Sequence, residues 1–243
     1  MLDFLTSPCT IPMSNSPGSN TPIPEEICTE KKFYPYFKDC ISTIDGTHIL
    51  TYVAKLDCPA YWNWKSQVSQ NILAACSMDL RFLYVLPGWE GSAADSSVNE
   101  DAWSNDFKIP ASQYYLADAG YRSCDALLVP YCGVRYHLKE WGKANMQSKD
   151  AKELFNLCHA QLRCRNVIKH IFGILKKWFK VLIVPQEYEI KIQAQLVSTL
   201  SVVHNFICVH DPHDLITATM MMRINLRCLG MGVCRGISLL KNV

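Results

Sequence analysis

Short apolar runs separated by polar, turn-forming residues occupy the first half of the chain, and a helical period takes over after about residue 150. Ile41, Ile44, Ile49 and Leu50 predict a strand over 40–52, interrupted by the turn-prone Asp45-Gly46-Thr47. Two further runs, 70–76 and 82–86, predict strands with Asp79 at the turn between them, and so an antiparallel meander. The polar stretch 91–96 then leads into a helix that reaches Trp103, with Asp95 or Ser96 as its N-cap. Strands are predicted over 113–117, ending at Asp118, and over 127–131. Val167, Ile168, Ile171, Phe172, Ile174, Leu175, Trp178 and Phe179 recur at three-and-four spacing and predict one long amphipathic helix. Another helix is predicted over 192–209. The order of elements implies an α/β fold, a mixed β-sheet flanked by helices rather than a doubly wound parallel one.

The pattern also divides the chain. Residues 1–32 are rich in Pro, Ser, Thr and Gly and predict an extended or disordered lead-in, with order beginning near Phe33. Residues 33–212 carry the patterned domain, and 213–243 lose the pattern and predict an unstructured tail. Prolines 8, 12, 17, 22 and 24 break the N-terminal region, which has neither the basic start nor the continuous apolar stretch of a signal peptide. No uninterrupted apolar run approaches the roughly 18–20 residues of a membrane span, so no membrane partner is expected.

Composition sharpens this only in part. The net charge is +2 with 19% charged residues, which excludes an overall basic coat for nucleic acid. Local charge differs: residues 152–180 hold seven lysines and arginines against Glu153 alone, which suits either contact with a DNA backbone or an ordinary solvated face. The twelve cysteines include no CxxC pair. Cys158, His159 and Cys164 lack a second pair at zinc-ribbon spacing, and reduced, mostly buried thiols are expected. His204, His210 and His213 fit no metal-binding spacing.

Asp45 and Asp118 are the informative acids. Each is expected at the end of a strand and each is followed within two residues by a glycine. Strand ends bring distant side chains to a common rim, and glycine permits close approach there. The same pairing arises in plain turns, because Asp is common beside Gly. Both readings stand on the spacing alone.

A series of longer stretches, in order along the chain, adds a resemblance. These are Tyr34-Pro-Tyr-Phe-Lys-Asp-Cys-Ile, Ile44-Asp-Gly-Thr-His-Ile, Gln70-Asn-Ile-Leu-Ala-Ala-Cys, Tyr84-Val-Leu-Pro-Gly-Trp-Glu-Gly-Ser with Asp95-Ser, Tyr115-Leu-Ala-Asp-Ala-Gly-Tyr, Glu153-Leu-Phe-Asn, Arg165-Asn-Val-Ile, Ile171-Phe-Gly-Ile-Leu-Lys and Leu200-Ser-Val-Val-His-Asn-Phe-Ile. Over roughly residues 33–212 the sequence resembles the DDE nuclease domain of Harbinger-type transposases and their domesticated relatives. That resemblance implies an RNase H-like fold with a catalytic Asp on the first strand, a second on the fourth and a Glu on a late helix. Carried over by position, the two aspartates are Asp45 and Asp118, as catalytic residues and metal ligands. The implied cofactor is Mg2+ or Mn2+, the implied partner is DNA, and the implied location is the nucleus, with the cytoplasm as the alternative. Asp95 lies in a matching motif and is read as a helix cap.

The chain departs from this family at the third acid. Where the pattern has Asn-Val-Ile-Glu, this chain has Asn166-Val-Ile-Lys, so Lys169 stands in the glutamate's place. At an effective dielectric near 20, unit charges 4 Å apart interact by roughly 4 kcal/mol, so a reversed charge beside a divalent ion is unfavourable even after solvation reduces it. Two expectations follow: an impaired metal-dependent nuclease, or a non-catalytic nucleic-acid- or protein-binding module that keeps the fold. The Pro/Ser-rich region before Asp45 resembles no DNA-recognition helix, so a separate DNA-binding protein is the expected partner for recognising specific ends.

Overall fold

The computed structural model describes residues 23–105, 107–136, 148–211 and 213, apart from the side chains of Glu26 and residues 163–166. Three long strands, β1 (Cys40–Leu50), β2 (Ser69–Cys76) and β3 (Phe82–Glu90), form an antiparallel meander. Two short ones, β4 (Tyr114–Leu116) and β5 (Leu127–Leu128), join parallel to β1 on its other side. The strand order is β3-β2-β1-β4-β5. This is the α/β architecture expected from the sequence, a mixed sheet flanked by helices, and it fits the RNase H-like class.

Helices α1 (Glu25–Cys28), α2 (Cys58–Tyr61), α3 (Asp95–Asn105), α4 (Ala151–Gln161), α5 (Arg163–Trp178) and α6 (Ile190–His210) complete the described residues. β2 is buried along its whole length because helices cover both faces of the sheet. On one face Val98 and Ala102 of α3 pack with Ile44, Leu73, Tyr115 and Ala117. On the other, Ile168, Ile171, Phe172 and Leu175 of α5 and Val197 of α6 pack with Ile49, Ile72, Ala74 and Phe82. A third cluster around Leu116 includes Phe33, Phe37 and Leu162.

Three local expectations change. β1 is not interrupted: Asp45 pairs with Ala74 and Gly46 with Leu73 in mid-strand, because the flanking ladder outweighs the local turn preference of Asp-Gly. The run 167–179 lies almost wholly in α5, but the helical stretch read from about residue 150 is two helices, broken at Leu162, whose extended ψ of 116° turns the chain and whose side chain is buried in the third cluster. Within the stretch expected as a lead-in, residues 25–28 form a helical turn and Ile27 is fully buried beside Phe33 and Phe37. Residues 1–22 and 214–243, with most of the expected lead-in and nearly all of the expected tail, lie outside the described residues.

By length and composition α6 could cross a membrane, a property that no uninterrupted apolar run of the sequence suggested. Here it packs on β3, and polar side chains tie it to the sheet. Buried Gln193 donates to the Tyr52 and Tyr188 carbonyls, and Asn205 exchanges two hydrogen bonds of 2.8 Å with the backbone of Phe82.

Candidate functional site

Strand parity decides which side chains can meet. Asp45, Thr47 and Ile49 alternate onto the face of β1 covered by α5, whereas Ile44, Gly46 and His48 lie on the α3 face. β1 and β4 are parallel, with Thr43 level with Leu116, and the Thr43 hydroxyl donates to the Leu116 carbonyl at 3.1 Å. Extending that register by two residues sets Asp118 beside Asp45 on the neighbouring chain segment, roughly 5 Å away between backbones. Both aspartates are half-buried. Each also accepts a hydrogen bond from the next amide: Gly46 N–H to Asp45 Oδ1 at 3.0 Å, and Ala119 N–H to Asp118 Oδ1 at 2.7 Å. These bonds orient one oxygen of each carboxylate.

Asp95 occupies the opposite face. Helical bonding starts at the Ala94 carbonyl, which accepts from Val98 N–H, so Ala94 holds the cap position and the reading of Asp95 as N-cap is corrected. The Asp95 side chain turns to the sheet instead. Its Oδ1 accepts from Asn71 Nδ2 at 3.0 Å and sits where a Cβ on Gly46 would come within 2.7 Å of it. Gly46 is therefore a glycine for steric reasons. At Gly120 an added Cβ meets nothing, so the same reason does not apply there.

Tyr121 lies within electrostatic reach of all three acids. Its hydroxyl is buried without a hydrogen-bond partner among the described residues. Burial raises its pKa well above the usual phenol value, and Asp95, Asp45 and Asp118 push it further in the same direction.

Helix α5 runs parallel to β1: Leu162, just before it, packs near Cys40, and Lys176 near its end reaches Thr47 and His48. The Lys176 ammonium donates to Thr47 Oγ1 at 2.9 Å and to the His48 carbonyl at 2.8 Å. Burial first, then the nearby Lys65, lowers its pKa to about 8. Lys176 thus departs from the basic stripe of residues 152–180, read as either a DNA-contacting or a solvated face, and braces β1. Lys169 lies seven residues earlier, about 20° short of two full turns, so it shares the stripe of α5 that carries Lys176. The helical rise sets it about 10 Å back along β1, near the level of Ile44 and Asp45. Lys169 is exposed, and Gly173 lies between the two lysines on the same stripe.

Other motif residues hold the frame. Glu153 is buried, paired with Arg135 at 3.1 Å and accepting from Lys149 N–H at 2.7 Å, and Asp150 caps α4 through Glu153 N–H. Asn156 exchanges hydrogen bonds with the backbone of Tyr131. Among the described residues, no group of three or more His, Cys, Asp or Glu side chains is placed to hold a metal ion.

A family model described as DDE superfamily endonuclease matches residues 44–205, about two thirds of the chain. The chain belongs to the DDE superfamily endonucleases. The match starts at Ile44, immediately before Asp45, and closes within α6 at Asn205, so it takes in β1 from Ile44 onward, the other four strands, and α3 and α5. Comparisons with curated proteins and with solved structures returned no match. The braces on β1 were missed at the sequence level, because Thr47 and Lys176 carry no chemical signature until β1 and α5 are packed together.

Proposed function

We propose that this DDE superfamily endonuclease is a transposase-derived domain of the Harbinger type, acting on DNA in the nucleus, whose cleavage is weakened by Lys169. The observation that carries the reading is the parallel register of β1 and β4, Thr43 level with Leu116, which continued by two residues sets Asp118 beside Asp45. Two carboxylate oxygens at that spacing suit a hard divalent cation such as Mg2+ or Mn2+, which one or two carboxylates commonly anchor, with water and phosphate completing the shell. When bound, the ion would supply Lewis-acid stabilisation of charge on the scissile phosphate. Asp45 and Asp118 would hold it, and the Lys176 brace keeps β1 in position against α5.

Lys169 brings positive charge where this chemistry needs negative charge, and no third described acid joins the pair. That favours a second reading, a nucleic-acid- or protein-binding module that keeps the fold without cutting. Mg2+- or Mn2+-dependent nicking of plasmid DNA separates the two. Lys169→Glu is expected to raise cleavage at least about tenfold over wild type, and Asp45→Asn or Asp118→Asn in that background to abolish it. Equal cleavage by wild type and Lys169→Glu would contradict impairment by Lys169. Cleavage that survives Asp45→Asn would remove the aspartate pair from the site.

A further inference from the structure

An aromatic cleft of about 450 Å³ opens on the α3 face of the sheet, just past the Gly46–Asp95 contact. Trp62 and Trp64 flank it, and His48 and Asp95 lie in its lining. Trp64 is 81% exposed and Trp62 54%, an unusual placement for two of the largest apolar side chains. The turn that carries them is pinned rather than loose. Trp62 bridges to Val68, Asn63 N–H donates to the Gln67 carbonyl at 2.9 Å, and Asn63 Oδ1 accepts from the amides of Lys65 and Gln67. Asn63 Nδ2 donates to Ser69 Oγ at 3.0 Å, which anchors the turn to β2. The indoles are thus displayed by a fixed backbone and gain nothing for the core, while the Lys65 ammonium lies 4.7 Å from the Trp64 ring centre.

We propose that this cleft binds an unpaired nucleobase of the DNA substrate, stacked on Trp64 and Trp62, with Lys65 meeting the adjoining phosphate. The inference rests on the nuclease reading above and deepens it. Three features choose a base. Flat exposed π-faces stack on any base, the Asp95 carboxylate accepts from the exocyclic amino groups that bases carry, and a cation stands beside the platform. His48, also in the lining, has its pKa lowered chiefly by burial, which favours its neutral form. A duplex keeps its bases stacked on one another, so this platform takes a base only where the strands are parted. Asp95, from α3, meets β1 at Gly46 on one face, and Asp45, the residue before Gly46, projects from the other face, so the cleft and the proposed cleavage site flank the same short segment of β1.

The full chain is titrated with a fluorescein-labelled single-stranded oligodeoxynucleotide that carries 2-aminopurine, and in parallel with the matching duplex. Wild type is expected to quench 2-aminopurine in the single strand. Trp64→Ala is expected to weaken single-strand binding by about tenfold and to abolish the quench, and Trp64→Tyr to recover most of both. Duplex binding should be unchanged in either variant. At 81% exposure Trp64 is replaceable without loss of the fold. Unchanged single-strand binding and quenching by Trp64→Ala would overturn the proposal, as expected if the surface serves a protein partner. Failure of wild type to bind the single strand would overturn it as well. In either case, cleavage by Lys169→Glu tells whether the nuclease reading survives alone.

Discussion

At Gly46 a missing side chain makes room for a carboxylate. Asp95 Oδ1, steadied by Asn71, occupies the space that a Cβ would need. Gly46→Ala is expected to lower stability by about 1–3 kcal/mol in urea unfolding, and by clearly less in an Asp95→Ser background, where the crowded oxygen is moved. Equal penalties in both backgrounds would show that the contact does not set the cost. The residue types of this region were legible in the sequence: Asp45, Gly46 and Asp118 were singled out there. Their setting was legible only in part. Asp-Gly carries a local turn preference, and only the ladder to Ala74 and Leu73 makes Asp45 a mid-strand residue. Asp95 was given a local role, as a cap, because its true neighbours lie 24 and 49 residues away in sequence, at Asn71 and Gly46.

At the scale of elements, α5 and β1 act as one unit joined by a half-buried cation. The apolar period of α5 was legible, and the helix packs on β1 and β2 with the face that the period marks. The break at Leu162 was not, because no proline or glycine marks it and the cause is a tertiary cluster. The Lys176 brace has a testable signature. Its folded pKa, about 8, lies below its ordinary value of 10.5, so the unfolded chain binds the proton more tightly. Stability from this group therefore rises as pH increases from about 8 to about 10.5, and the penalty is fully present below pH 8. The gain is on the order of 3 kcal/mol. Unfolding free energies of wild type and Lys176→Met should diverge across that window, wild type gaining relative to the variant. Parallel curves would mean that Lys176 keeps an ordinary pKa and is not buried as a brace.

Across the whole molecule, strand and helix order could be read from the apolar periods, and that order was enough for the α/β class. Strands over 113–117 and 127–131 were legible, but their parallel placement beyond β1 was not, since a period along one strand carries no information about its pairing partner or direction. Yet that placement brings Asp118 level with Asp45 and so creates the proposed site. On the reading proposed above, metal binding there turns on Lys169, on the stripe of α5 that also carries Lys176. Mn2+ binding to the full chain, followed by the loss of the free-ion electron paramagnetic resonance signal, tests this most directly. The account predicts weak binding by wild type, binding at least about tenfold tighter by Lys169→Glu, and loss of that gain when Asp45→Asn is added. Equal Mn2+ affinity in wild type, Lys169→Glu and the Asp45→Asn double variant would contradict it.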